Sequence, residues 1–194
     1  ITLTSRMDRK STATLTAAAQ TITVGRNWDL AGFTSGTSLV IFDGADPAAG
    51  GTVTSNGQTF ADIQLNAAGE IYQQIDPLSA SGSLTLSAGE WQTNSQSLTV
   101  TQDVTGAAGA PLTAGGSETI SVGGSWDVAA LNAATSLVRF TGASPVAGPY
   151  TVTGNGQSFF DVEEDAAGEV YVQQDAFVAT GNMTLSAGEW RTNS

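Results

Sequence analysis

The sequence predicts an all-β protein made of two tandem repeats. A parallel β-solenoid-like arrangement is favoured, with two antiparallel β-sandwich domains as the alternative. Three observations carry this. Charged residues make up only 12% of the chain and aromatics 7%, and Thr, Ser, Gly, Asn and Gln take their place. That composition suits short strands joined by frequent turns. No stretch shows a 3.6-residue apolar period, so amphipathic helices are not expected. Most informative, the chain is written twice.

The repeat is plainest at 84–95, LTLSAGEWQTNS, and 183–194, MTLSAGEWRTNS, which agree at ten of twelve positions. Further upstream, a shift of 98 lays Ile22-Thr-Val-Gly-Arg-Asn-Trp28-Asp29 on Ile120-Ser-Val-Gly-Gly-Ser-Trp126-Asp127. It also lays TSLVIFDGADPAAG (37–50) on TSLVRFTGASPVAG (135–148). One residue is then inserted, Pro149 or Tyr150, and the shift becomes 99. TVTSNGQTF (52–60) now meets TVTGNGQSF (151–159), and NAAGEIYQQ (66–74) meets DAAGEVYVQ (165–173). Repeats of this kind decide the fold before any single element does. We divide the chain into residues 1–95, with a core at 22–95, and residues 96–194, with a core at 120–194.

In order along the chain, strands are expected at 1–4 and 13–16, with the basic residues Arg6, Arg9 and Lys10 between them. The alternating QTITV (20–24) ends at Gly25. The run SLVIF (38–42) is apolar throughout, as in a strand buried on both faces, and Gly44 and Pro47 end it. Strands at 52–54 and 58–65 flank Asn56-Gly57, a hairpin signal that favours the sandwich alternative. Strands at 70–75, 83–87 and 97–101 follow, and NAAGE between 65 and 70 reads as a β-turn. The second copy repeats these at 118–122, 136–140, 150–153, 157–163, 169–174 and 182–186. Spacings near 20 residues, such as 63–65 to 83–86, match one solenoid turn. Others are nearer 14, and the long segment 102–119 interrupts the expected stacking.

The order VGxxWD, TSLVxFxG, TVTxNGQxF and LTLSAGEWxTNSxxLTV resembles a repeat of large bacterial and archaeal cell-surface proteins. Phe60-Ala-Asp62-Ile-Gln-Leu65 stands where that family has F-x-N-L-T-I. Gly82-Ser-Leu-Thr-Leu-Ser-Ala-Gly89-Glu-Trp91-Gln-Thr93 stands where it has G-T-L-T-L-x-A-G-T-L-D-T. The resemblance implies a β-solenoid shaft of the adhesin or autotransporter-fibre type, located outside the cell or on its surface. Glu-Trp in place of Thr-Leu departs from the pattern.

Several functions are disfavoured by composition. The formal net charge is −12 and three of the six basic residues sit in the first ten positions, which leaves no patch for nucleic acid. There is no cysteine and no histidine, so thiolate metal sites and a Ser–His–Asp triad are ruled out. No apolar run is long enough to span a membrane as a helix. The chain opens on Ile1 without Met or a signal peptide, which reads as processing or as a piece of a longer array.

The recurrent residues have two readings each. Trp28, Trp91, Trp126 and Trp190 are either a platform for stacking sugars or packing anchors, and we favour anchors. Tyr72 and Tyr171 are read in the same way. Asp29/Asp127, Asp62/Asp161, Glu70/Glu169, Asp76/Asp175 and Glu90/Glu189 have the look of glycosidase carboxylates. Their duplication argues instead for capping turns. The run Asp161, Glu163, Glu164, Asp165 is a weak calcium candidate. Its first-copy counterpart is Asp62, Gln64, Leu65, Asn66, and a solvated acidic edge is the simpler reading. No catalytic residue, cofactor or metal site is assigned.

The expected function is therefore structural: a repeat unit of a surface fibre, layer or adhesin shaft. The N-terminal ITLTSRMD resembles SLTVTQD, which follows the first TNS. Ile1, Thr2, Leu3 and Thr4 of one copy are thus the expected contact for Thr192, Asn193 and Ser194 of another. The partners would be further copies of the chain. Surface glycans, bound through the four tryptophans, belong to the alternative.

Overall fold

The computed structural model describes residues 1–3, 14–45 and 50–193. The basic cluster Arg6, Arg9 and Lys10, together with Thr4, Pro47 and Ser194, lies outside the described residues. Within them the chain is a parallel β-solenoid of about eight turns with no helix. Among the described residues no helix is long and apolar enough to cross a membrane.

Each turn visits three faces in a fixed order. β1 (Thr2–Leu3) lies on the first face and β2 (Thr14–Thr16) on the third. β3 (Thr21–Val24), β4 (Trp28–Asp29) and β5 (Gly32–Thr34) occupy the three faces in turn, as do β6 (Leu39–Phe42), β7 (Gly51–Thr54) and β8 (Thr59–Phe60). β9 (Asp62–Gln74) bends across the first and second faces, and β10 (Leu78–Ala80) takes the third. β11 (Leu84–Gln92) and β12 (Leu98–Val100) repeat that arrangement. β13 (Val104–Gly106), β14 (Leu112–Thr113) and β15 (Thr119–Val122) follow, then β16 (Trp126–Val128), β17 (Leu131–Asn132) and β18 (Leu137–Phe140). β19 (Tyr150–Thr153) and β20 (Ser158–Phe159) precede β21 (Asp161–Gln173), which runs along the third face and returns to the first. β22 (Val178–Ala179) pairs with β20 on the second face, and β23 (Met183–Thr192) follows β21 around the last corner.

Every pairing is parallel, which corrects the sandwich alternative. Asn56 and Gly57, both at positive φ, do form the tight turn their chemistry favours. It is a corner between two faces, so β7 and β8 do not pair with each other. The NAAGE and DAAGE segments are likewise corners inside the continuous β9 and β21, with Gly69 and Gly168 at positive φ.

Short strands alternate inward and outward residues. On the first face Ile22, Val24, Val40, Phe42, Ile63, Leu65, Leu84 and Leu86 are buried and form one column of core side chains. Leu39 and Ile41 are only half-buried, so LVIF has one buried face rather than two. The strands at 28–29, 32–34, 78–80, 104–106, 112–113, 126–128, 131–132 and 178–179 were not expected. The segment 102–119 contains β13 and β14 and stacks regularly on β11.

The two copies do not lie on the same faces. Ile22 of β3 is on the first face, whereas its counterpart Ile120 of β15 is on the third. Fourteen strand segments separate β3 from β15 when β9 and β11 are each counted as two. Fourteen is four full turns plus two faces. Each repeat is therefore displaced along the axis and turned by one face relative to the last.

Candidate functional site

The recurrent carboxylates hold corners together. Asp62 accepts a hydrogen bond from the Ser83 N–H at 2.8 Å, and Asp161 accepts one from Asn182 at 2.6 Å. Asp103 does the same for Ser125 at 2.7 Å. Asp76 accepts from the N–H groups of Ser55 and Asn56, and Asp175 from those of Gly154 and Asn155. Asp29 and Asp127 each accept from the side-chain amide of Asn56 or Asn155, both at 2.8 Å. Glu70 and Glu169 accept from the N–H of Gly50 and Gly148. Glu90 and Glu189 bond side chains two residues on, Gln92 and Arg191. Each carboxylate thus satisfies a donor of its own or a neighbouring turn.

The tryptophans divide by position. Trp28, Trp91 and Trp126 are completely buried. Trp91 donates its Nε1–H to Gln74 at 2.9 Å, and Trp190 donates to Gln173 at 3.2 Å. The buried three present no face to a sugar, and Trp190 is half-buried. Tyr72 and Tyr171 are buried cross-braces. Tyr72 donates to Gly25 O at 3.0 Å and accepts from Gly44 N–H; Tyr171 donates to Gly123 O at 3.1 Å and accepts from Gly142 N–H.

The acidic run is split between two sides of β21. Glu163 points outward and bonds Arg139 and Ser186, both at 2.7 Å, which holds its carboxyl below the usual range. Asp165 lies 3.5 Å from Arg139. Glu164 points inward, and burial, followed by the charge of Asp165, pushes its carboxyl up. Among the described residues no three acidic groups converge as metal ligands.

The proposed contact residues sit at opposite ends of the stack. Thr2 and Leu3 pair with Thr23 and Val24, and the Ile1 ammonium donates to Thr21 O at 2.8 Å. Thr192 pairs with Gln173, and Asn193 N–H donates to Gln173 O. The structure does not bring the two groups together within one chain.

What the sequence reading missed is the surface formed by β22 and β23. Leu84, Leu86 and Trp91 of the first copy are buried beneath β13 and β14. Their counterparts Met183 and Leu185 are 43% and 61% exposed, and Val178 is 55% exposed. Identical strand chemistry is thus covered in one copy and open in the other. The signal was available: the repeat shift maps 84–91 onto 183–190.

A separate cleft of roughly 400 Å³ lies at a corner lined by Arg26, Asn27, Gly51, Glu70, Ile71 and Gln73. Arg26 becomes Gly124 in the second copy, so the cleft's cation is not part of the repeated design.

No family model, curated protein or solved structure matches the chain. The β-solenoid is present; the cell-surface part of the resemblance rests on the quoted motifs alone.

Proposed function

We propose that the chain is an extracellular structural protein, a repeat unit of a surface fibre, layer or adhesin shaft. The observation that carries this reading is the junction between the copies. β12 lies directly on β10, β13 on β11, and β14 on the far half of β11, all in parallel register. One repeat ends in the surface on which the next is built, so the unit is additive. The mechanism is mechanical: backbone hydrogen bonds run along the axis, a mainly apolar column fills the interior, and carboxylates clamp the corners. Such arrays gain stability from each neighbour interface added.

The duplicated carboxylates support this reading over catalysis, because each is engaged with a backbone or side-chain donor at a corner. Electron microscopy of the concentrated protein tests it. Fibres or sheets are expected, and dispersed single particles at every concentration would sink the proposal.

The glycan reading keeps one residue, Trp190. Binding on a glycan array that disappears in Trp190→Ala, with the unfolding transition retained, would favour it.

A further inference from the structure

We infer that Asn155 is a site of spontaneous deamidation in the folded protein, and that its counterpart Asn56 is held back from the same reaction. The inference does not depend on assembly.

Asn56-Gly57 and Asn155-Gly156 are the two Asn-Gly pairs of the chain. Both lie at tight corners, with φ of 53° at each asparagine and 73° or 71° at the glycine. Asparagine is a thermolabile residue, and a glycine after it leaves the next backbone nitrogen unshielded by a side chain. At both glycines the place a Cβ would take has no heavy atom within 4 Å. The chemistry available there is ring closure. The Gly156 nitrogen gives up its proton and bonds to Asn155 Cγ, and the side-chain nitrogen leaves with that proton as ammonia. Water then opens the five-membered imide at either carbonyl. The product is aspartate in the original backbone, or its isomer with the chain routed through the side-chain carbon.

The two corners differ at the atoms that react. In the first copy the Gly57 N–H donates to Ser55 Oγ at 3.1 Å. The Asn56 amide donates to Asp29 at 2.8 Å and to the Leu30 carbonyl at 3.1 Å, and the residue is half-buried. In the second copy Gly154 stands in place of Ser55, and the Gly156 N–H has no partner among the described residues. The Asn155 amide keeps one bond, to Asp127 at 2.8 Å, and the residue is exposed. A serine does not fit at 154, because its Cβ would lie 2.5 Å from that of Phe177. The attacking nitrogen and the leaving amide are therefore both freer at Asn155.

The product works against the corner that forms it. The Asn155 amide is a donor to Asp127, and its backbone N–H donates to Asp175 at 2.8 Å. Exchanging the amide for a carboxylate removes a donor and sets a further negative charge beside those two. The isomer also lengthens the backbone of the corner. Slow modification thus loosens the second copy and spares the first.

The folded protein is incubated near neutral pH and mapped by peptide mass spectrometry with isoaspartate detection, beside the same protein in urea. In urea the two sites should react at similar rates, because Gly-Gln follows both asparagines. In the folded protein Asn155 should convert at least severalfold faster than Asn56. Aged parent protein should move towards the lower urea midpoint of Asn155→Asp, while aged Asn155→Ser keeps its starting midpoint. Equal rates in the folded protein, faster conversion of Asn56, or conversion at neither site would overturn the inference. A midpoint unchanged after Asn155 has converted would overturn the loosening of the corner.

Discussion

Glu164 occupies the inward position that Leu65 fills in the first copy. Leu65 is fully buried and Glu164 is 1% exposed, with its Oε1 lacking a hydrogen-bond partner. The two residues align in the repeat, so the second copy carries a carboxyl in its apolar column.

Glu164→Leu should therefore stabilise the protein near neutral pH, by about 1–3 kcal/mol, because a buried carboxylate with one unsatisfied oxygen is replaced by a well-matched side chain. The pH dependence follows from its raised carboxyl, faced by Asp165 and by Tyr171 from the same strand. A raised folded value means the protonated form favours the fold. That contribution is complete below the ordinary carboxylate range and is lost as pH climbs through the raised value. Glu163, held low by Arg139, has the opposite sign: its contribution is lost as pH falls through its lowered value. Urea midpoints should show the advantage of Glu164→Leu over the parent shrinking from pH 7 towards pH 4. A constant advantage would contradict this.

Tyr72→Phe and Tyr171→Phe should each cost about 1–3 kcal/mol, because each removes the acceptor of a glycine N–H and the donor to a glycine carbonyl. Equal losses in chemical denaturation are expected, since the two braces are copies. A negligible loss at either would remove that brace from the account.

Gly82 and Gly181 precede the residues whose N–H groups Asp62 and Asp161 accept. A Cβ at either would run into that carboxylate. Gly82→Ala and Gly181→Ala should destabilise by about 1–3 kcal/mol through crowding. Gly109 has open space where its Cβ would lie. Gly109→Ala should instead be neutral or stabilise by up to about 1 kcal/mol. Thermal melts of the three variants separate these cases, and similar shifts in all three would be inconsistent with the corner geometry.

Trp91→Ala should cost about 3–5 kcal/mol, as for other large core truncations. Trp190→Ala should cost clearly less, because its ring is only partly enclosed. Equal losses measured by denaturation would mean that the end of the stack is already covered in solution.

The all-β class, the repeat and the core role of Trp28, Trp91 and Trp126 were readable because they rest on composition and identity. The short strands Trp28–Asp29 and Gly32–Thr34 were not, since two or three residues cannot show a period. Asn56-Gly57 pointed to a hairpin because a solenoid corner uses the same left-handed backbone as a hairpin turn. The one-face turn was hidden for a related reason. A shift of 98 residues carries no face until every strand is counted, and the unrecognised strands were part of that count. The corner clamp was also present but unread: Asp62 with Gly82-Ser83, Asp103 with Gly124-Ser125, and Asp161 with Gly181-Asn182 each join residues about one turn apart.

The measurement that bears most directly on the account is helical reconstruction of the assembled protein by electron cryo-microscopy. The internal repeat advances four turns and two faces, so an array built by the same rule has an axial step of roughly 22 Å per repeat at ~4.8 Å per turn. Each repeat should also be turned by one face from the last, so three repeats restore the starting face. A filament with that step and turn is the expected result. Unstacked particles, or a filament in which successive repeats keep the same face, would contradict it.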